Sequence, residues 1–315
     1  MVEASEGQEF IVKSRPPLFV SAQLSFLALV IVFAACSSQP NPTVAAAPPL
    51  GENRTAQAHT SPRLYVLDCG TLRFADVAMF GLTNEETAVR ELAVPCYLID
   101  HPKGLLLWDT GLPSALAGTQ TFTEVSEGVA ALYPKSLSAQ LGELGWATSD
   151  IDKIAFSHLH FDHAGSANLF TQSQLLIQRD EYVAAFEEAD QFVGIFDPAQ
   201  YGKLADARRR VLTGDHDVFG DDSVHIIAAP GHTPGHQVLL VRLAGQGSIL
   251  LSGDLYHFQF NREQRRVPAF NFDAELSQKS MSKVEALLEQ EQATFWLQHD
   301  KRLFDSLRHS PAYYD

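Results

Sequence analysis

The stretch Ser157 to Gly165, SHLHFDHAG, places three histidines and one aspartate within six consecutive positions of a chain that holds twelve histidines in 315 residues. Imidazole nitrogens and carboxylate oxygens suit zinc and related divalent cations, and a short His-x-His loop can turn both rings toward one ion. Asp162 and His163 follow directly but face another direction, so two adjacent ions are the economical reading of the four side chains. Each ion still needs ligands from elsewhere in the chain. Distant segments must therefore deliver polar side chains to one place, which a sheet does by ending several strands along one edge.

The rest of the chain fits that demand. VPCYLID and LLLWDTG flank a turn with Pro and Gly, which predicts a hairpin, and DKIAFS is a strand running into the histidine stretch. Leu137 to Leu144 suits a helix, and further strands are expected at QLLIQ, VHIIAA, VLLVRL, SILLSGD and ATFWLQHD. Between the last two, Met281, Val284, Leu287 and Leu288 share one face of a helix. Four polar groups each follow a β-like run: His158/His160/Asp162/His163, His232/His236, Asp254/His257 and His299/Asp300. From these, His232, Asp254 and His299 are the candidates to complete the two ion sites, with the Asp254 carboxylate able to bridge them.

The N-terminus differs in kind. Leu18 to Ala35 is an apolar run preceded by Lys13 and Arg15, and it ends in Phe33-Ala34-Ala35-Cys36, which is similar to a bacterial lipobox. The expected organisation is a lipoprotein-type signal peptide over 1–35, a flexible linker rich in Pro, Ala, Ser and Thr over 36–62, and one folded domain over 63–315 that carries the histidine stretch. The acidic opening MVEASEGQEF is a poor signal n-region and points to a translation start further on, as at Val12. Export to the periplasm or the outer membrane follows, with the membrane reached only through a lipid at Cys36. Cys69 and Cys96 sit in β-like runs, where a disulfide and two buried free thiols are both open.

Composition removes other functions. A net charge of −15 repels polyanions, and the short basic groups at Ala207–Arg210 and Asn261–Arg266 are too small to reverse it, so nucleic acid is excluded as a partner. A 45% hydrophobic content is that of an ordinary globular enzyme.

HLHFDH resembles the HxHxDH signature of the metallo-β-lactamase superfamily, and PGHTPGH, GD and the late QHD are similar to its later ligand motifs, in family order. The resemblance covers about Arg63 to Asp315. It implies an α/β fold, the αβ/βα sandwich of two mixed β-sheets flanked by helices, with a dinuclear metal site at one edge. Carried over by position, His158, His160 and His232 hold one ion, Asp162, His163 and His299 the other, and Asp254 bridges. Two divalent cations per chain are expected, zinc first among them, though cobalt, manganese or iron also suit such donors.

Within the superfamily, Asp254 stands where class B β-lactamases have Cys, and the chain stops shortly after His299, without the helical domain of glyoxalase II enzymes. His160 stands where flavo-diiron proteins have Glu, and the acidic balance argues against the ribonuclease-type members. The chain is most similar to the N-acyl homoserine lactonases, in particular an exported subgroup, through DHAGSANLF, PGHTPGHQ and the tail from GDLYHFQF to SPAYYD. The resemblance implies quorum quenching: a hydroxide between two cations opens the lactone ring of an acyl homoserine lactone. A homodimer is a further candidate assembly. The alternative is a hydrolase of this fold acting on other lactones, thioesters or phosphodiesters.

Many members carry Tyr three positions after the bridging Asp; here that position is His257, beside Tyr256. The resemblance makes Asp162 a proton relay, His257 the polar assistant and proton donor, and Tyr256 a lesser candidate. His236 is expected behind the ligands, and Asp109 of WDTG to buttress the metal loops. An acyl tail needs an apolar pocket, for which Phe122, Tyr133, Phe186, Phe192, Phe196 and Tyr201 are the candidate rim.

Overall fold

The computed structural model describes residues 59–315. The apolar run at 18–35, Cys36 and the linker up to residue 58 lie outside the described residues.

The strands are β1 (Arg63–Phe74), β2 (Glu91–His101), β3 (Gly104–Trp108), β4 (Thr123–Ser126), β5 (Val129–Leu132), β6 (Lys153–Ala155), β7 (Gln174–Gln178), β8 (Arg209–Leu212), β9 (His216–Asp217), β10 (Val224–Ala228), β11 (Gln237–Leu243), β12 (Gly247–Leu251), β13 (Thr294–Trp296) and β14 (Tyr313–Tyr314). One mixed sheet runs β4-β5-β1-β2-β3-β6-β7-β8, with β14 also pairing β1; the other runs β13-β12-β11-β10-β9. Helices α1 (Leu137–Glu143), α2 (Phe161–Ala164), α3 (Arg179–Tyr182), α4 (Pro198–Tyr201), α5 (Gln259–Gln264), α6 (Ala274–Glu291) and α7 (Lys301–Ser306) complete the domain.

Period-two alternation builds the sandwich. On β1 to β3, Leu64, Val66, Tyr97, Ile99, Leu106 and Trp108 enter the core between the sheets, where Ile226, Leu239, Val241, Ile249 and Leu251 meet them. Their neighbours Tyr65, Leu67, Cys96, Leu98, Leu105 and Leu107 face the outer layer with Leu137 and Leu141 of α1. On the far side, Val238, Leu240 and Leu250 pack against Met281, Val284 and Leu288 of α6, the stripe expected from its sequence. Asp273 caps α6 by accepting the Leu276 N–H at 2.8 Å.

One irregularity shapes the site. The β1–β2 register shifts between Asp68 and Thr71, at Gly70 with φ +126°. An extra residue reverses which face the following side chains take. Leu72 and Phe74 therefore join the outer core although Leu64 and Val66, of the same parity, lie between the sheets. Within the shift, Cys69 is bonded to Cys96 of β2, with Cα atoms 5.8 Å apart. The disulfide resolves the two alternatives left by the sequence.

Candidate metal centre

β6, β10, β12 and β13 all end at one edge of the sandwich, and the polar groups that follow them converge there. His158 and His160 leave β6, His160 stands at the N-terminus of α2, and α2 carries Asp162 and His163. His232 lies in the β10–β11 loop, Asp254 follows β12 and His299 follows β13.

Three imidazoles meet on one side. His158 Nε2 lies 2.8 Å from His160 Nδ1, and His232 Nε2 lies 3.2 and 3.1 Å from those two atoms. The outer nitrogens are engaged: His232 Nδ1 faces Asn271 Oδ1 at 3.0 Å, an oxygen that only accepts, and His158 Nδ1 faces Ser157 Oγ at 3.1 Å. An imidazole that donates outward presents a lone pair inward. Burial first, and the neighbouring rings next, hold His158 and His160 well below the usual histidine pKa, so both are neutral. Lone pairs pressed together at such distances repel unless a cation lies between them.

On the other side, His163 Nε2 and His299 Nε2 are 3.3 Å apart, and Asp162 Oδ2 is 3.7 Å from each. Asp254 faces both groups. Its Oδ2 is 3.3 Å from His232 Nε2, and its Oδ1 is 2.9 Å from His299 Nε2 and 3.1 Å from His163 Nε2. Yet Oδ1 is buried without a properly directed hydrogen bond. Although burial disfavours a proton on His163, three carboxylates, Asp254, Asp162 and Asp109, pull its pKa well above normal. This half of the cluster carries an anionic surplus that calls for positive charge. The donor set thus fits two cations: His158, His160, His232 and Asp254 lie mutually within 4.8 Å, as do Asp162, His163 and His299.

The surroundings fix these side chains. Buried Asp109, at φ +58°, accepts from the Ser157 N–H at 2.6 Å, Ser157 Oγ at 3.0 Å, His163 Nδ1 at 2.9 Å and Gln298 Nε2 at 2.5 Å. His299 Nδ1 donates to Ala93 O at 2.7 Å. His236 donates from Nδ1 to Ala229 O and accepts the Asp254 N–H at Nε2, both at 2.9 Å, so it positions the bridging carboxylate through its backbone. Gly253, at φ +48°, leaves room for that contact, since a Cβ there would stand 2.6 Å from His236 Nε2. Asp300 is no ligand; it caps α7 by accepting the Arg302 and Leu303 N–H groups.

Two groups escaped the sequence reading. Glu181, fully enclosed on α3, accepts from the Leu159 and Gly235 N–H groups at 2.9 Å and from Thr233 Oγ1 at 2.7 Å. It ties the loop of His158 and His160 to that of His232, and its position just past β7 was the available signal. Asn271 orients His232 and is itself held, its Nδ2 donating to Ser277 Oγ at 2.9 Å. Nothing in its sequence context marks it.

The two aromatic candidates after Asp254 separate. Tyr256 packs in the α6 core and its hydroxyl donates to Glu285 Oε1 at 3.1 Å, away from the cluster, which removes it as a catalytic candidate. His257 stays at the site, with Nε2 2.9 Å from Asp254 Oδ2 and Nδ1 buried without a partner among the described residues.

A cavity of about 290 Å³ opens onto His160, Asp162, Asp254, His257 and His299. Its apolar wall comes chiefly from Leu72, Phe74, Met79, Phe80, Ile195 and Phe270. The aromatic rim expected from the sequence is thereby corrected. Tyr133 and Tyr201 are core residues whose hydroxyls bond to backbone, and Phe122 lies under the Arg73 guanidinium. Phe186 stacks on Tyr182, while Phe196, against Phe192, comes within 6.1 Å of the His160 ring. The rim was misplaced because the β1 register shift that brings in Leu72 and Phe74 has no periodic signature.

The model of the metallo-beta-lactamase superfamily matches residues 89–299. The N-acyl homoserine lactonase of Bacillus thuringiensis is 30% identical over 227 residues, 70% of this chain and 87% of that one. The N-acyl homoserine lactonase AttM of Azorhizobium caulinodans is 30% identical over 266 residues, 81% of this chain and all of its own. A solved N-acyl homoserine lactone hydrolase, with its product N-hexanoyl-L-homoserine at the catalytic metal centre, superposes with a TM-score of 0.68 at 28% identity, covering 81% of this chain and 100% of that chain. Motif order, two-sheet architecture and edge-located donors agree with these matches, and the chain belongs to the metallo-beta-lactamase superfamily.

Proposed function

We propose that this protein is a metal-dependent hydrolase that opens the lactone ring of N-acyl homoserine lactones. The observation that carries the reading is the pair of donor groups joined by Asp254 at the floor of an apolar cavity, in a chain similar over most of its length to lactonases. His158, His160 and His232 would hold one cation, Asp162, His163 and His299 the other, with Asp254 between them; zinc is the metal of choice for these donors. When bound, the cations supply a hydroxide at neutral pH and polarise the lactone carbonyl.

The remaining work falls to the chain. The apolar wall holds the acyl tail and excludes water from it. Asp162, at the edge of the cavity, holds the proton taken from water at Oδ2 and returns it to the ring oxygen. His257 is neutral, since burial above all lowers its pKa to about 4. Facing a carboxylate oxygen, it keeps its proton on Nε2, so Nδ1 carries a lone pair and can only accept a hydrogen bond. The role of proton donor expected for it therefore passes to Asp162.

The protein acts outside the cytoplasm in this reading, supported by the Cys69–Cys96 disulfide, a bond that persists in oxidising compartments. Lipidation at Cys36 is tested by the intact mass of the processed protein. The reaction is tested by mass spectrometry of products from metal-loaded protein and N-hexanoyl-L-homoserine lactone. The expected product is the ring-opened acyl homoserine, which re-forms the lactone in acid. Free homoserine lactone would mean amide cleavage and refute the assignment.

A further inference from the structure

A second cavity, of about 330 Å³, meets the same cluster. It shares His257 and His299 with the apolar cavity, and these two rings lie nearly parallel, 14° apart with centroids 5.7 Å apart. The rest of its lining mixes Val89, Phe258 and Phe260 with the polar Glu86, Thr87, Gln259, Glu263, Asp300 and Arg302. Through Val89, Asp300 and Arg302 it continues into an open cleft of about 540 Å³ along Ala88–Glu91 and Lys301–Arg302. The buried Nδ1 of His257, on the shared wall, has no partner among the described residues.

We propose that this second cavity is the water entrance of the site, distinct from the mouth that admits the lactone; the inference rests on the lactonase reading. Each turnover consumes one water. Its hydroxyl adds to the carbonyl carbon, the ring C–O bond breaks, the ring oxygen takes the other proton, and the new carboxylic acid ionises by losing one more proton to solvent. The apolar cavity cannot carry this traffic while an acyl tail lies in it. At about 30 Å³ per water, 290 Å³ amounts to about ten waters. A methylene group is of about the same size as a water, and the lactone ring at the ligands takes its share of that space, so an acyl homoserine lactone with a hexanoyl or longer tail fills it, whereas γ-butyrolactone, a ring of about six non-hydrogen atoms without a tail, leaves almost half of it. An acylated substrate thus leaves the second cavity as the open path, and a water standing there donates to His257 Nδ1.

Val89 tests this, because it is 48% exposed, lines the second cavity and the cleft beyond it, and is absent from the first. In Val89→Trp, kcat at saturation with N-decanoyl-L-homoserine lactone should fall about five-fold or more, while kcat with γ-butyrolactone changes less than about two-fold. Gln259→Trp narrows the same cavity from α5 and should reproduce the split, carrying the test if the first variant does not fold. General damage to the fold would lower both rates together. Equal losses with both substrates, or no loss with either, overturn the proposal. An unsubstituted enzyme that opens neither lactone would instead overturn the function on which it rests.

Discussion

Substituting Asp109 by Asn isolates how the buried carboxylate beneath the cluster acts. The exchange conserves volume, and Asn tolerates the left-handed backbone at φ +58°, so strain contributes little. Asp109 uses Oδ1 for the Ser157 N–H and Oδ2 for His163 Nδ1, Ser157 Oγ and Gln298 Nε2. An amide has one oxygen and one NH2. If the oxygen stays toward His163, the NH2 meets the Ser157 N–H; if it turns, the NH2 meets His163 and Gln298. Either orientation sets at least one buried donor against another, costing about 1–3 kcal/mol, and the surviving bonds lose the advantage of a charged acceptor, for a total of about 2–5 kcal/mol. His163 also becomes a poorer ligand, because the partner behind a metal-bound imidazole raises its basicity; affinity at the Asp162/His163/His299 group should fall about 10–100-fold. Chelator competition followed by elemental analysis reads this directly, with melting temperature measured on metal-free and metal-loaded protein. The second ion should leave at lower chelator concentration than in the unsubstituted protein while the first remains. An unchanged chelator midpoint, or prior loss of the ion at His158/His160/His232, would refute the reasoning.

Four further outcomes follow from single contacts. The Cys69–Cys96 bond closes a 27-residue separation, so the Cys69→Ala/Cys96→Ala pair should lower urea stability by about 3–4 kcal/mol, read from the denaturation midpoint. Glu181→Ala leaves two buried N–H groups and one hydroxyl unsatisfied and should cost about 3–5 kcal/mol with loss of metal from the His158/His160/His232 group, measured by thermal melting and metal counts. Tyr256→Phe should leave kcat/KM within about two-fold, whereas His257→Ala lowers it about ten-fold or more, since only the second side chain faces the cavity. Burial acts to raise the Asp217 pKa, but bonds from the Asp222, Gly220 and Phe219 N–H groups outweigh it and bring it below the ordinary 3.8. A depressed carboxyl pKa stabilises the fold above the ordinary value and ceases to do so as pH falls through the folded one. The melting advantage over Asp217→Asn should therefore be full near neutrality and shrink below pH 3.8, by calorimetry at stepped pH.

The donor residues were legible because two local rules coincide. Metal-binding side chains are chemically distinctive, and each candidate followed an apolar run, so His158, His232, Asp254 and His299 could be placed at strand ends without knowing the strand order. Strand order then brings those ends to one edge, as the α/β sandwich requires. The same rule applied to QRDEY after β7 singles out Glu181, but a carboxylate beside Arg179 and Asp180 reads as part of a solvated charged run.

What stayed hidden depends on register and on remote pairing. Whether Cys69 meets Cys96 is decided by which residues of β1 and β2 stand side by side, and Leu67 pairs with Cys96 just where the shift begins. The same shift sends Leu72 and Phe74 to the cavity, while Phe80 and Phe270, 190 positions apart, meet edge to face at 5.7 Å in its wall. None of these wall residues has a chemical signature, since each reads as an ordinary core side chain. His257 and Tyr256 sharpen the point: adjacent in sequence and both polar at the tip, they diverge because the chain leaves Asp254 in an extended conformation, with Tyr256 at φ −144° and ψ 141°. Successive side chains of an extended segment point to opposite sides, so one reaches the ligands and the other enters the α6 core. Identity of the reacting groups is thus a local property of this chain, whereas the shape of the space around them, on which the choice of acyl tail depends, is set by one inserted residue in a strand far from the histidines.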